Sequence, residues 1–178
     1  MIYNIGEKVE GDVLLRVAER MAVAARTAPK AKGIDNIFIS IITDDTIKEL
    51  SAEMIRIGNE TGQAFFVRDA ENILNAGAIL LLGTKIQTLG LKQCDYCGFE
   101  SCVDKSSNAK IPCAFNNIDL GIAIGSAVSV AADNRVDNRV MFSVGYAAKE
   151  LKIIDEEVEV SLGIPISASG KNVFFDRK

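Results

Sequence analysis

The stretch Ile37-Phe38-Ile39-Ser40-Ile41-Ile42 is short, β-branched and almost unbroken in apolar character. That is the pattern of a strand covered on both faces, not of one with a wet side. Helical patterns flank it. Upstream, Asp12 can cap a helix running to about Arg26. Its Val13, Val17 and Ala24, with Leu14, Ala18, Met21 and Ala25, fall at spacings of three and four and make one broad apolar stripe. Pro29 closes that helix, because the residue before a proline is pushed out of helical geometry. Downstream, Thr43 or Asp44 can cap a second helix carrying Ile47, Leu50, Met54 and Ile57, expected to end near Gly58. Asp69 can start a short helix over residues 69–75. A second buried strand, Ala78-Ile-Leu-Leu-Leu82, is then expected to stop at Gly83. Strand and helix in alternation predict a layered α/β core.

The chain has 178 residues, 48% of them hydrophobic and 25% charged, with a net charge of −4. That length suits a single domain over residues 1–178 with a sizeable core, and the composition is globular. The acidic balance and 6% aromatic content disfavour a nucleic-acid partner, which needs a basic face or a stacking platform. Residues 1–10 lack the apolar core of a signal peptide. The longest apolar run, residues 76–83, is far short of a membrane span. A cytoplasmic, reducing setting with no membrane partner is therefore expected.

Beyond the cysteines, Asn116 or Asn117 can cap a helix to about Asp133, with Leu120, Ile124, Val128 and Ala131 as its stripe and Gly121, Gly125 and Ala132 as a second, small-residue face. The tandem Asp133-Asn-Arg-Val-Asp-Asn-Arg-Val140 reads as a helix stop followed by a helix start. The helix after it carries Val140, Val144, Ala147, Ala148 and Leu151. Val158, Val160 and Leu162 alternate with Glu159 and Ser161 as a strand with one wet face, expected to end at Gly163 and Pro165.

Residues 84–115 break the rhythm. They hold Gly90, Gly98, Pro112 and all four cysteines, in the spacing Cys94-x2-Cys97-x4-Cys102-x10-Cys113, and the chain has no histidine. In a reducing compartment clustered thiols hold metal more often than they form disulfides. Structural zinc sites commonly use two Cys-x2-Cys pairs, and only one is present. A [4Fe–4S] cluster takes four thiolates, often three from one tight loop and one from further along, which this spacing fits. Zinc and disulfide stay as alternatives. Cys113 lies just ahead of a predicted helix N-terminus, whose dipole favours anionic thiolates. Gly98 would let amides approach the sulfurs. Asp95, Glu100 and Asp104 add negative charge nearby, and Lys92, Lys105 and Lys110 offset it.

The cysteine segment with Pro112-Cys113-Ala-Phe-Asn-Asn-Ile-Asp-Leu-Gly121, together with Ala25-Arg-Thr-Ala-Pro-Lys30 and Arg135-Val-Asp-Asn-Arg-Val-Met141, resembles a prokaryotic family of ferredoxin-domain (4Fe–4S domain) proteins. The resemblance implies a [4Fe–4S] cluster on Cys94, Cys97, Cys102 and Cys113. A second resemblance covers about half the chain. Ala24-Ala-Arg-Thr-Ala-Pro-Lys-Ala-Lys-Gly33 before a strand, Asp119-Leu-Gly-Ile-Ala in a long helix, and Val158-Glu-Val-Ser-Leu-Gly-Ile-Pro165 are similar to stretches of FMN-dependent nitroreductases. It implies an α+β, nitroreductase-like fold with the cysteine segment inserted, a homodimer, and FMN phosphate contacts from Arg26, Lys30, Lys32, Arg177 and Lys178. The sequence departs from that pattern in lacking an Arg-x-Ser-x-Arg motif and in having Lys30 and Gly33 after Ala-Pro. Three readings follow: a one-electron carrier serving a redox partner protein, a flavin oxidoreductase whose cluster feeds FMN, or a zinc-stapled binding module.

Overall fold

The computed structural model describes residues 1–2 and 7–175, at 7–10 through the backbone alone. Its middle layer contains strands β1 (Ile37–Ile42), β2 (Ala78–Thr84), β3 (Asp137–Asn138) and β4 (Val160–Ser167). They lie in the order β1-β2-β4-β3, antiparallel at every pairing. Helices α1 (Glu7–Thr27) and α5 (Ala114–Asp133) cover one face; α2 (Asp44–Thr61), α3 (Ala64–Ile73) and α6 (Phe142–Glu150) cover the other.

The period of two along β2 divides its side chains between two cores. Ala78, Leu80 and Leu82 face Leu14, Val17, Met21, Leu120, Ala123 and Ile124. Ile79 and Leu81 face Leu50, Met54, Phe66, Ile73 and Val144. Each such side chain taken fully from water contributes roughly 1.5–3 kcal/mol before entropy is subtracted. Central β2 is buried throughout. Strand β1 lies at the sheet edge, and its middle four residues are only half-buried, less covered than its apolar sequence implies.

Several expected boundaries move, and glycine accounts for most of them. Gly58 lies inside α2, where a Cβ would come within 2.8 Å of Val67; the left-handed stop is Gly62. Gly83 continues β2 beneath Val158, and Gly163 continues β4 beneath Val144. Pro165 also stays in β4, which runs on to Ser167. In these places glycine supplies close approach rather than a turn. Asp12 lies inside α1 and is not its cap. Asp69 lies inside α3, 4% exposed, where it accepts hydrogen bonds from Ser143 Oγ (2.6 Å) and Arg68 (2.7 Å). The Asp133 tandem contains the expected stop, with strand β3 intervening before α6 starts at Phe142.

Helix α5 reaches the length and apolarity of a membrane span, with mean hydropathy 1.3 over 18 residues, against the expectation that no run does so. It packs Leu120, Ala123, Ile124, Ala127 and Ala131 into the first core. Its other face leaves Ile118, Gly121, Ile122, Gly125 and Ala132 exposed.

Candidate metal centre

Residues 85–101 have no helix or strand. Two glycines in left-handed geometry, Gly90 (φ 70°) and Gly98 (φ 80°), turn the chain there. The Gly98 N–H closes a turn onto Asp95 O (2.8 Å), so that amide is committed to the loop and does not face a sulfur. Ser101 caps the one-and-a-half-turn helix α4 (Cys102–Ser106), its Oγ accepting from the Asp104 N–H. Cys102 therefore sits at the first position of that helix. Cys113 is itself the N-cap of α5, three or four positions later in the helix register than its sequence suggests.

All four cysteines are free thiols. All four line one tight pocket, together with Thr88, Leu89, Leu91, Tyr96, Phe115 and Lys105. Cys94, Cys97 and Cys102 are half-buried, and Cys113 is 4% exposed. Among the described residues no three Cys, Asp or Glu side chains close to the spacing of a single metal ion. The thiols surround a shared pocket instead of meeting at a point. Four soft donors, apolar walls and a helix N-terminus fit an anionic iron–sulfur cluster.

Two devices that sequence reasoning missed hold this arrangement. Asn116, 3% exposed, accepts through one Oδ1 from both the Gln87 N–H (3.0 Å) and the Cys113 N–H (3.2 Å). It fastens the start of the loop to the capping cysteine. Tyr96 stacks on Phe115 (centroids 5.8 Å, 18° between planes), which lays the Cys94–Cys97 turn against the start of α5. An asparagine three residues after a cap position was a readable signal, but only with cysteine admitted as a cap.

The basic residues expected at a flavin phosphate have protein partners. Arg26 donates to Asp35 (2.5 Å) and to Ile37 O (2.7 Å). Lys30 caps the end of α1 at Ala25 O (3.0 Å) and Arg26 O. Lys32 reaches Leu89 O (3.2 Å) on the pocket wall, and the Ala31 N–H meets the buried Asp119 carboxylate (3.1 Å), so this turn abuts the cysteine segment. Arg177 and Lys178 lie outside the described residues. Burial pushes the Asp35 carboxyl up, but hydrogen bonds from Arg26 and the Ile37 N–H, and the charges of Arg26 and Lys30, outweigh it and hold it below its usual 3.8. A lowered folded pKa stabilises the fold above the unfolded value, and the gain is lost as pH falls through the folded value. With both side chains part-exposed, the pair is expected to contribute at most ~1 kcal/mol. The difference in urea unfolding between the parent and Arg26→Met should be largest at pH 7 and narrow below pH 3.8, leaving the share due to the Arg26 bond to Ile37 O.

A family model described as "Uncharacterized protein containing a ferredoxin domain" matches residues 110–177. A protein of Archaeoglobus fulgidus, described as an uncharacterized protein, is 46% identical over 165 residues, 88% of each chain. The chain belongs to the ferredoxin-domain family. The ferredoxin-domain match includes Cys113 and all of α5 and leaves the first three cysteines outside it. Among solved structures, a nitroreductase with bound FMN from Desulfitobacterium hafniense superposes with TM-score 0.60 at 12% identity, over 95% of this chain and 81% of that one. A BluB-like flavoprotein from Clostridium difficile does so with TM-score 0.59 at 17% identity, over 100% and 87%. The ferredoxin-domain protein thus has the nitroreductase fold, α+β.

Proposed function

We propose that this is a cytoplasmic iron–sulfur redox protein that holds one [4Fe–4S] cluster on Cys94, Cys97, Cys102 and Cys113. It takes an electron from one redox protein and passes it to another. The observation that carries this reading is the shared tight pocket lined by all four free thiols at the start of α5. When bound, the cluster supplies one-electron transfer, and four cysteine ligands leave no iron open to a substrate. The protein's part is to fix one ligand on a helix start, hold the other three on a loop, and keep water out with Leu89, Leu91 and Phe115.

A second reading is favoured by the fold. Structural neighbours include a nitroreductase with bound FMN and an NADPH:FMN oxidoreductase from Vibrio harveyi. In this reading the chain forms a homodimer, and the cluster feeds an FMN whose phosphate meets Arg26, Lys30, Lys32, Arg177 and Lys178. Arg26, Lys30 and Lys32 would exchange their present partners for phosphate. The homodimer is supported by the exposed Ile118, Ile122, Gly121 and Gly125 of α5, since glycines in a helix interior each cost ~1 kcal/mol that a close partner offsets.

Anaerobic purification followed by iron, sulfide, zinc and flavin analysis separates these readings. The expected result is about four iron and four sulfide per chain. Zinc without iron or sulfide would leave a zinc-stapled module. Iron and sulfide without flavin, and no FMN uptake on titration, would remove the second reading.

A further inference from the structure

Lys105 is one of the most deeply buried large side chains in the molecule, at 2% exposure. It lines the four-cysteine pocket. Among the described residues its ammonium has no hydrogen-bond or ion-pair partner. The nearby carboxylates do not supply one: Asp104 is exposed and bonded to Ser101 Oγ (2.5 Å), and Asp95 and Glu100 are exposed. The rest of the pocket wall is sulfur, apolar side chains and the side chains of Thr88 and Tyr96, with no carboxylate among them. An ammonium has three donors and no acceptor. This one keeps a sliver of contact with water at its tip, since Ser167 Oγ is the fully buried polar side-chain atom left without a partner among the described residues. The rest of the side chain is enclosed, and no protein group meets its charge. Of the groups lining that pocket, the four thiols are the ones that become anionic on binding metal.

We infer that Lys105 is the internal counter-cation of the metal centre, donating N–H to sulfur and setting its reduction potential. The inference rests on the iron–sulfur reading and adds a residue to it. Thiolate-bound clusters carry net negative charge, and one-electron reduction makes that charge larger. A fixed positive charge at the pocket wall stabilises the reduced form more than the oxidised form. Lys105 therefore raises the potential. It acts as a tuning residue, not a ligand. Lys92 and Lys110 are exposed and solvated, so their charges are screened.

The test is a potentiometric titration of anaerobically purified, iron-loaded protein, followed by optical and electron paramagnetic resonance spectra, with iron and sulfide measured on each sample. Lys105→Met is expected to lower the reduced-to-oxidised ratio at fixed potential at least tenfold, a downward shift of about 59 mV for one electron. Lys105→Arg keeps the charge and is expected to restore most of the shift; Lys92→Met and Lys110→Met leave the potential where it was. An unchanged potential in loaded Lys105→Met overturns the inference, as does a shift of equal size in Lys92→Met. If Lys105→Met retains no iron, Lys105→Arg decides: retention at parental potential supports the charge role, and loss of iron there too overturns it. A parent protein with no iron would instead overturn the cluster reading itself.

Discussion

Serine in place of Cys102 is expected to strip most iron and sulfide from the protein, by about tenfold or more. Even residues that only orient a metal ligand are worth ~10–100-fold in affinity, and this change replaces the proposed donor atom itself. An alkoxide is a poor substitute for a thiolate at iron. The substitution should leave the fold intact, because Cys102 starts a five-residue helix that contributes to neither core. Cys113→Ser makes a sharper companion. Cys113 caps α5, and serine is among the best helix caps, so the helix start should survive while the ligand is lost. Iron analysis alongside circular dichroism of both variants checks this. Unchanged iron content in Cys102→Ser would mean that Cys102 is not a ligand.

Alanine at Gly145 is expected to destabilise the fold by ~3 kcal/mol, a large share of the ~5–15 kcal/mol that holds a domain together. Gly145 lies in α6 directly over β4. A Cβ there would come within 2.1 Å of Ser161 O and 2.6 Å of Leu162 N. Both are backbone atoms of a central strand, so neither can rotate away. The two backbones are also tied by Ser161 Oγ donating to Gly145 O (2.9 Å). The helix would have to lift from the sheet, taking buried Val144, Ala147 and Ala148 with it. Urea unfolding, read as a lower midpoint at similar slope, measures the loss. A midpoint equal to the parent's would sink this account of the α6–β4 contact.

The apolar runs of β1 and β2 and the stripe on α1 were legible because burial leaves periodic marks in a sequence. Leu14, Val17, Ala18, Met21 and Ala25 reach the core, while Val13, assigned to the same stripe, faces solvent at 48% exposure. Glycines misled. Gly58, Gly83 and Gly163 read locally as stops, yet their role is to let Val67, Val158 and Val144 close in from other elements. No neighbouring residue encodes that. The convergence of four cysteines was legible from spacing. The burial of Lys105 was not, since it looks identical to Lys92 and Lys110 until α4 turns it into the pocket. The cap of α5 was misplaced because cysteine is not a residue that helix-start patterns lead one to expect.

No residue between Lys85 and Pro112 belongs to either hydrophobic core. The cysteine loop and α4 therefore form a local unit that can open while the layered scaffold stays shut. Of the four cysteines, only Cys113 is anchored to a core helix; the other three hang from the part that opens. Emptying the pocket and melting the protein are then separate events. On the proposed cluster reading, loss of iron to oxidants is expected to leave a folded receptacle, able to be refilled without first passing through the unfolded state.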